Sequence, residues 1–408
     1  MHKPPFFTLF LPEIRRFSIY YSLSATILNR KALGSNPDGC ANHHASADNC
    51  RGIFCFRRIA GRKPRRVSLA NFLRSPVLCD IVKSPYTGRG LCAMKYDQIA
   101  SLADALTRSI GRVIIGKEQE TQLVLAAMLA GGHILLEDVP GTGKTTLAKS
   151  LARSLSLSFA RVQFTPDLLP SDVTGMRVYN QQTGTFSFVK GPAFTHILLA
   201  DEINRATPRT QSALLECMEE RQITEGGVTY PLASPFLVIA TQNPVETQGT
   251  FPLPEAQLDR FMIRLSLGYP TQEQAVAMLR RFMCDQPLDA LESVASCEQL
   301  QQAAALCRTC HVSDDVLLYM TALCESARNP DCVLLGPSPR ALLALMRCAQ
   351  AFAAIHGRDY VIPDDIKALA VPVLAHRIIL RGTRRGQTPQ EYIQDILAHL
   401  AAPTEARA

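Results

Sequence analysis

The run Pro140-Gly141-Thr142-Gly143-Lys144-Thr145-Thr146 holds the residue types that grip a nucleotide's phosphates. Glycines let the backbone curl until successive N–H groups point at phosphate oxygens, and a helix that follows adds partial positive charge in the same place. In such a loop Lys144 reaches the β- and γ-phosphates and the Thr145 hydroxyl ligates Mg²⁺, so ATP with Mg²⁺ is the chemistry implied. The full pattern asks for Gly five residues before Gly143, where this chain has Asp138. The phosphate-cradling half is intact, and its flanks agree: His133-Ile134-Leu135-Leu136-Glu137 reads as a buried strand, and Leu147 to Ala152 as the first turns of a helix.

A second group lies about 57 residues on, where the apolar run Ile197-Leu198-Leu199-Ala200 ends in Asp201-Glu202. Open α/β sheets bind ligands at the carboxyl ends of their parallel strands. There Asp201 is expected to hold Mg²⁺, directly or through water, and Glu202 to orient and polarise the attacking water. Asn243 closes the next apolar run and offers a neutral amide to position water against the γ-phosphate, although Asn before Pro is also an ordinary turn signal. Arg260, in Gln257-Leu258-Asp259-Arg260-Phe261, carries a permanent charge suited to a phosphoryl transition state, but taken alone it reads better as paired with Asp259 or another surface carboxylate. Arg340 follows an N-cap serine and a first-turn proline, Ser338-Pro339, so its cation opposes the helix dipole and points to an anionic partner, a role any nearby Asp would serve.

These residues need a scaffold. From Met94 the pattern is helix (Tyr96 to Ile110), an apolar turn (Arg112 to Lys117), helix (Glu118 to Ala130), then alternating strands and helices. The strands expected beside the P-loop strand are Phe159–Phe164, Thr195–Ala200, Phe236–Thr241 and Phe261–Leu265, which implies an α/β fold with a five-stranded parallel sheet covered on both faces. Arg177–Lys190 and Ile223–Tyr230 alternate around Thr183-Gly184 and Gly226-Gly227 and read as inserted hairpins. The expected division is a nucleotide-binding core over 94–269, an all-α lid over 270–400 and a tail over 401–408.

Residues 1–93 differ from the rest. They hold 15 Lys and Arg against 4 Asp and Glu, whereas the remainder holds 28 basic and 32 acidic residues, so the overall charge of +7 belongs to this segment and gives the mildly acidic core no support as a nucleic-acid groove. The segment lacks periodicity and reads as an unfolded extension, with Met94 as the expected start of organised sequence. Its Cys40, His43, His44, Cys50 and Cys55 fit no standard zinc spacing, and Phe6 to Leu11 is too short for a signal peptide. The lone Cys307-x-x-Cys310 reads as helix-face residues, and scattered thiols suit a reducing, cytoplasmic compartment. No run approaches a membrane span.

From about Met94 to Leu400 the chain resembles a MoxR-type AAA+ ATPase, a clade related to magnesium chelatase ATPase subunits. The resemblance rests on Leu136-Glu137-Asp138-Val139-Pro140-Gly141, on Gln163 to Asp172, on Asp201-Glu202-Ile203-Asn204-Arg205-Ala206, on Gln211 to Glu216 and on Leu253 to Phe261. In that family Asp is usual at position 138. The resemblance implies an ASCE-type AAA+ core with a helical lid, working as a homo-oligomeric ring, usually a hexamer. It implies that Asn243 is sensor 1, Arg340 sensor 2 and Arg260 the finger that reaches a neighbour's nucleotide, and that Ile114, Ile115 and Gly116 contact adenine. The hairpins become the helix-2 insert and the pre-sensor-1 insert. It further implies chaperone-like maturation of partner complexes, often carrying von Willebrand factor A domains. A nucleic-acid motor, a chelatase-like subunit and a small-molecule P-loop kinase are the competing readings.

Overall fold

The computed structural model describes residues 53–54, 67–68 and 94–403, except 245–248, 284–286 and 383–385. The chain forms two units, residues 1–90 and 91–408. In the first, β1 (Ile53–Phe54) and β2 (Val67–Ser68) pair antiparallel. The expected unfolded extension and the Cys40–Cys55 cluster lie otherwise outside the described residues.

The second unit opens with α1 (Tyr96–Gly111) and α2 (Glu118–Leu129). The sheet then builds from β3 (Ile134–Glu137), β4 (Phe159–Gln163), β7 (Ile197–Asp201), β10 (Leu237–Gln242) and β11 (Ile263–Leu265). All are parallel, in the order β11-β3-β10-β7-β4. Every residue of β7 is buried, as expected for a strand covered on both faces. Each fully buried Leu or Ile contributes about 1.5–3 kcal/mol.

The sheet separates two apolar clusters. One, around Phe164, Leu198, Val238 and Phe261, lies under α5 (Pro208–Glu220), with α3 (Lys144–Ser154) on the other face. The second cluster runs from the sheet through α1, α2 and α3 into the helices after residue 290 without a break. The lid therefore shares a core with the N-terminal helices.

The hairpins form as expected, from β5 (Gly175–Asn180) with β6 (Thr185–Lys190) and from β8 (Gln222–Glu225) with β9 (Val228–Pro231). Phe188 and Tyr230 stack between them, ring centroids 4.4 Å apart. A short helix α4 (Pro170–Thr174) leads into the first hairpin, and α6 (Glu255–Leu258) precedes β11.

The lid comprises α7 (Gln272–Phe282), α8 (Cys297–Cys307), α9 (Asp314–Ser326), α10 (Pro339–Ile355), α11 (Pro363–Leu374) and α12 (Pro389–His399). It also carries a small antiparallel ladder, β12 (Val333–Leu335) with β13 (Ile379–Leu380), which helical periodicity did not reveal. Cys307 and Cys310 are buried, with thiols pushed up by burial to about 12 and 11, which makes them inert packing groups.

Candidate active site

The P-loop leaves β3 at its carboxyl end and enters α3. Gly141 and Gly143 take φ of +89° and +91°, the left-handed region where a side chain is strained. Gly143 is the N-cap of α3, whose first turn contains no acidic residue, so its N-terminal N–H groups meet no competing carboxylate there. Lys144 Nζ donates to the Asp138 carbonyl at 2.7 Å and the Val139 carbonyl at 3.4 Å, and the Thr142 hydroxyl donates to the Val139 carbonyl at 3.3 Å. Burial pushes the Lys144 ammonium below its ordinary value, while the Asp138, Asp201 and Glu202 carboxylates pull it back up.

Asp138, the departure from the P-loop pattern, has a structural task. Its carboxylate accepts from the Ser266 hydroxyl at 2.7 Å, the Leu267 N–H at 2.6 Å and the Gly268 N–H at 3.0 Å. The buried side chain thus ties the loop's first residue to the chain leaving β11 toward the lid.

Sheet order explains how the second group meets the first. β10 lies between β3 and β7, so Asn243, just beyond β10, emerges between the P-loop and Asp201-Glu202. Asp201 is buried; its Oδ1 accepts from the Thr241 hydroxyl at 2.6 Å, and its Oδ2 from Arg161 Nε and Nη2 at 3.0 and 2.7 Å. The same Thr241 hydroxyl accepts from the Glu202 N–H at 2.8 Å. Glu202 sits at φ +55°, left-handed, which turns its side chain off the strand's path. Gln163 Nε2 donates to Glu202 Oε2 at 2.7 Å, and Arg205 Nε pairs with the same oxygen at 3.1 Å. Sequence reading missed Arg161, Gln163 and Thr241; for Gln163 and Thr241 a position at the carboxyl end of a strand was the available signal.

Thr145 and Asp201 supply hard oxygen donors, the type Mg²⁺ takes while keeping waters and phosphate oxygens as its other ligands. No group of three or more His, Cys, Asp or Glu forms a metal cage among the described residues.

Ile114, Ile115 and Gly116 lie in the turn between α1 and α2, half-buried, with Gly116 at φ +71°. The lid's first helix packs over them. Gln274 Nε2 donates to the Gly116 carbonyl at 3.4 Å, and Arg281 donates to the Gly111 carbonyl at 2.8 Å and to the Arg112 carbonyl. A Cβ on Gly116 would lie 2.0 Å from the Gln274 amide nitrogen.

Arg260 and Arg340 stand elsewhere. Arg260 precedes β11, whose entry is fixed by the Met262 N–H on the His133 carbonyl, at the start of β3. α5 runs back across the sheet, and His133 Nε2 contacts the Met218 carbonyl at 3.0 Å, so Glu219 reaches that same amino-end edge. There Glu219 Oε2 pairs with Arg260 Nε at 3.0 Å and Oε1 with Arg340 Nη2 at 2.6 Å. The anionic partner expected for Arg340 is Glu219, and Arg260 pairs with Glu219 rather than with Asp259. The sheet's length, about 13 Å at 3.3 Å per residue, separates this pair from Lys144.

Beneath the arginines, Asp259 accepts from the Ser338 hydroxyl at 2.9 Å and pairs with the buried Arg377 at 3.3 Å. Arg377 also donates to the Phe261 carbonyl at 2.6 Å. Burial pushes the Arg377 guanidinium down to about 10 against the pull of Asp259. Ser338 remains the N-cap of α10, its hydroxyl accepting from the Ala341 N–H.

This arrangement agrees with what the chain is similar to. Residues 133–263 match the ATPase family associated with various cellular activities (AAA), and residues 325–398 match the AAA lid domain. The Bacillus subtilis uncharacterized protein YeaC is 46% identical, covering 73% of this chain and 94% of its own length. Chaperone MoxR1 of Mycobacterium tuberculosis is 40% identical over 72% of this chain and 80% of its own, and protein MoxR of Paracoccus denitrificans 33% identical over 67% and 87%. A crystal structure of a candidate ATPase from Cytophaga hutchinsonii superposes with a TM-score of 0.71 at 39% identity, covering 76% of this chain and 97% of that one. With its AAA core, its helical lid and these relatives, the chain belongs to the MoxR family of AAA+ ATPases.

Proposed function

We propose that the protein hydrolyses Mg²⁺-bound ATP at sites shared between neighbouring copies in a ring, a hexamer by family resemblance, and uses the cycle to remodel a partner complex. Pro140 to Thr146 hold the phosphates, Ile114 to Gly116 the adenine, and Thr145 and Asp201 the metal, which supplies charge neutralisation on the phosphates when bound. Glu202 takes the proton of the attacking water, and Asn243 orients that water. Gln163 and Arg205 hold the Glu202 carboxylate in place.

The observation that carries this reading is the division of the site between two edges of one sheet. Arg260 and Arg340 stand at the edge opposite Lys144, so they serve a nucleotide bound by another copy. The first of the two joined hairpins exposes Met176, Val178, Tyr179, Phe186 and Val189, an apolar surface suited to gripping a client. The name chaperone borne by one relative supports the remodelling role, and a von Willebrand factor A domain protein is the client class proposed. No helix among the described residues is long and apolar enough to cross a membrane, and a cytoplasmic setting is proposed.

The test is ATP turnover against protein concentration, with Arg260→Ala beside the wild type. Turnover per subunit that rises with concentration and collapses in the variant is expected. Turnover independent of both would sink the shared site.

A further inference from the structure

Glu219 has no place in the nucleotide chemistry described above, yet it touches both arginines. It is the penultimate residue of α5, its backbone neighbour Met218 is fixed by His133, and its two carboxylate oxygens each hold a different guanidinium. The arginines come from separate parts of the chain, one from the turn before β11 and the other from the first turn of α10. Two like charges side by side repel unless an anion lies between them. Within the ion-pair network three guanidiniums, Arg260, Arg340 and Arg377, meet two carboxylates, Glu219 and Asp259. Glu219 and Arg340 are exposed at this edge, so Arg340 is open to an anion from outside the chain. Each guanidinium is planar with a forked donor set, so an oxygen bonded on one side sets the direction of the remaining N–H groups.

We infer that Glu219 is a positioning residue: it fixes the spacing and aim of Arg260 and Arg340 so that both meet the phosphates of an ATP held by the adjoining copy. The inference rests on the shared-site reading above and adds to it a residue and a role. Asp259, Ser338 and Arg377 hold the arginines' backbones from beneath, and Glu219 orients their tips. A misaimed guanidinium loses most of its value at the transition state, because catalysis by position falls steeply with displacement. Exposed ion pairs of this kind add little to folding stability, so the effect belongs to turnover.

The experiment uses the full chain and four variants, Glu219→Gln, Glu219→Asp, Glu202→Gln and Arg260→Ala. At saturating ATP and saturating protein, Glu219→Gln is expected to lower kcat about tenfold to a hundredfold, with ADP affinity unchanged because its own P-loop lies at the other edge. Glu219→Asp, which keeps the charge, is expected to lose less. Mixing Glu219→Gln with inactive Glu202→Gln should raise turnover above either alone, since intact arginines from one meet the intact Glu202 of the other. Unchanged or increased kcat in Glu219→Gln would overturn the inference. So would a mixture that gains nothing when the Arg260→Ala mixture with Glu202→Gln does gain. If Arg260→Ala itself leaves wild-type turnover untouched, the shared site fails and takes this inference with it.

Discussion

The two edges of the sheet were built by different means. At the carboxyl edge, Gly141 to Thr145 form one continuous run of loop and helix start, and Asp201 and Glu202 are chain neighbours at a strand's end. At the amino edge, Glu219, Arg260, Arg340 and Arg377 come from α5, the turn before β11, α10 and the segment after α11, and meet only through the tertiary fold. In the proposed shared site, the first edge binds a nucleotide within one chain and the second completes a neighbour's site. On that proposal a local motif carries the binding, and long-range packing carries the coupling between subunits.

The comparison breaks most visibly at the carboxyl edge. Lys144→Ala is expected to abolish ATP binding measured by equilibrium titration. Glu202→Gln should keep that binding and slow phosphate release about 10²–10⁴-fold. A Glu202→Gln protein with undiminished turnover would remove Glu202 as the base.

At the amino edge the larger effect is on stability. Arg377 is buried against Asp259 and the Phe261 carbonyl. Arg377→Met leaves Asp259 without its cation at a largely buried site, and a loss of about 3 kcal/mol is expected from urea midpoints. A midpoint within error of wild type would show that this network does not hold the arginines' edge together.

A smaller effect sharpens the same edge by pH. His133 is fully buried and neutral, accepting from the Val238 N–H at Nδ1 and donating from Nε2 to the Met218 carbonyl, and burial pushes it down to about 4. An unfolded chain binds that proton near pH 6.5, so between 6.5 and 4 the unfolded state holds a proton that the fold refuses. Stability should therefore fall on acidification, by about 2 kcal/mol from pH 7 to pH 5. His376, also pushed down by burial, acts in the same direction. His133→Gln should remove most of its own share. An acid limb identical in the two proteins would show that His133 does not titrate as its burial requires.

Legibility followed the same division. The P-loop, Asp201-Glu202 and the five strands could be read because each is contiguous and obeys strand or loop chemistry; the strand limits shifted by one or two residues. Asn243 could be placed because it ends an apolar run. Arg260 and Arg340 could be named, but not their common partner: Glu219 lies 41 residues from one and 121 from the other, in a helix whose pattern marks it only as exposed. Arg161, Gln163 and Thr241 likewise sit in strands where alternation says which face they take, not what they touch. The β12–β13 ladder escaped because strands of three and two residues are shorter than any period they could show.

Asp138 finally bears on redesign. Scored against the P-loop consensus, it is the position to repair, and Asp138→Gly would complete the motif. In this fold the same change would strip three donors, from Ser266, Leu267 and Gly268, of their shared acceptor. Consensus engineering would perfect the signature and loosen the seam between the nucleotide loop and the lid; here the better sequence is the one that violates the rule.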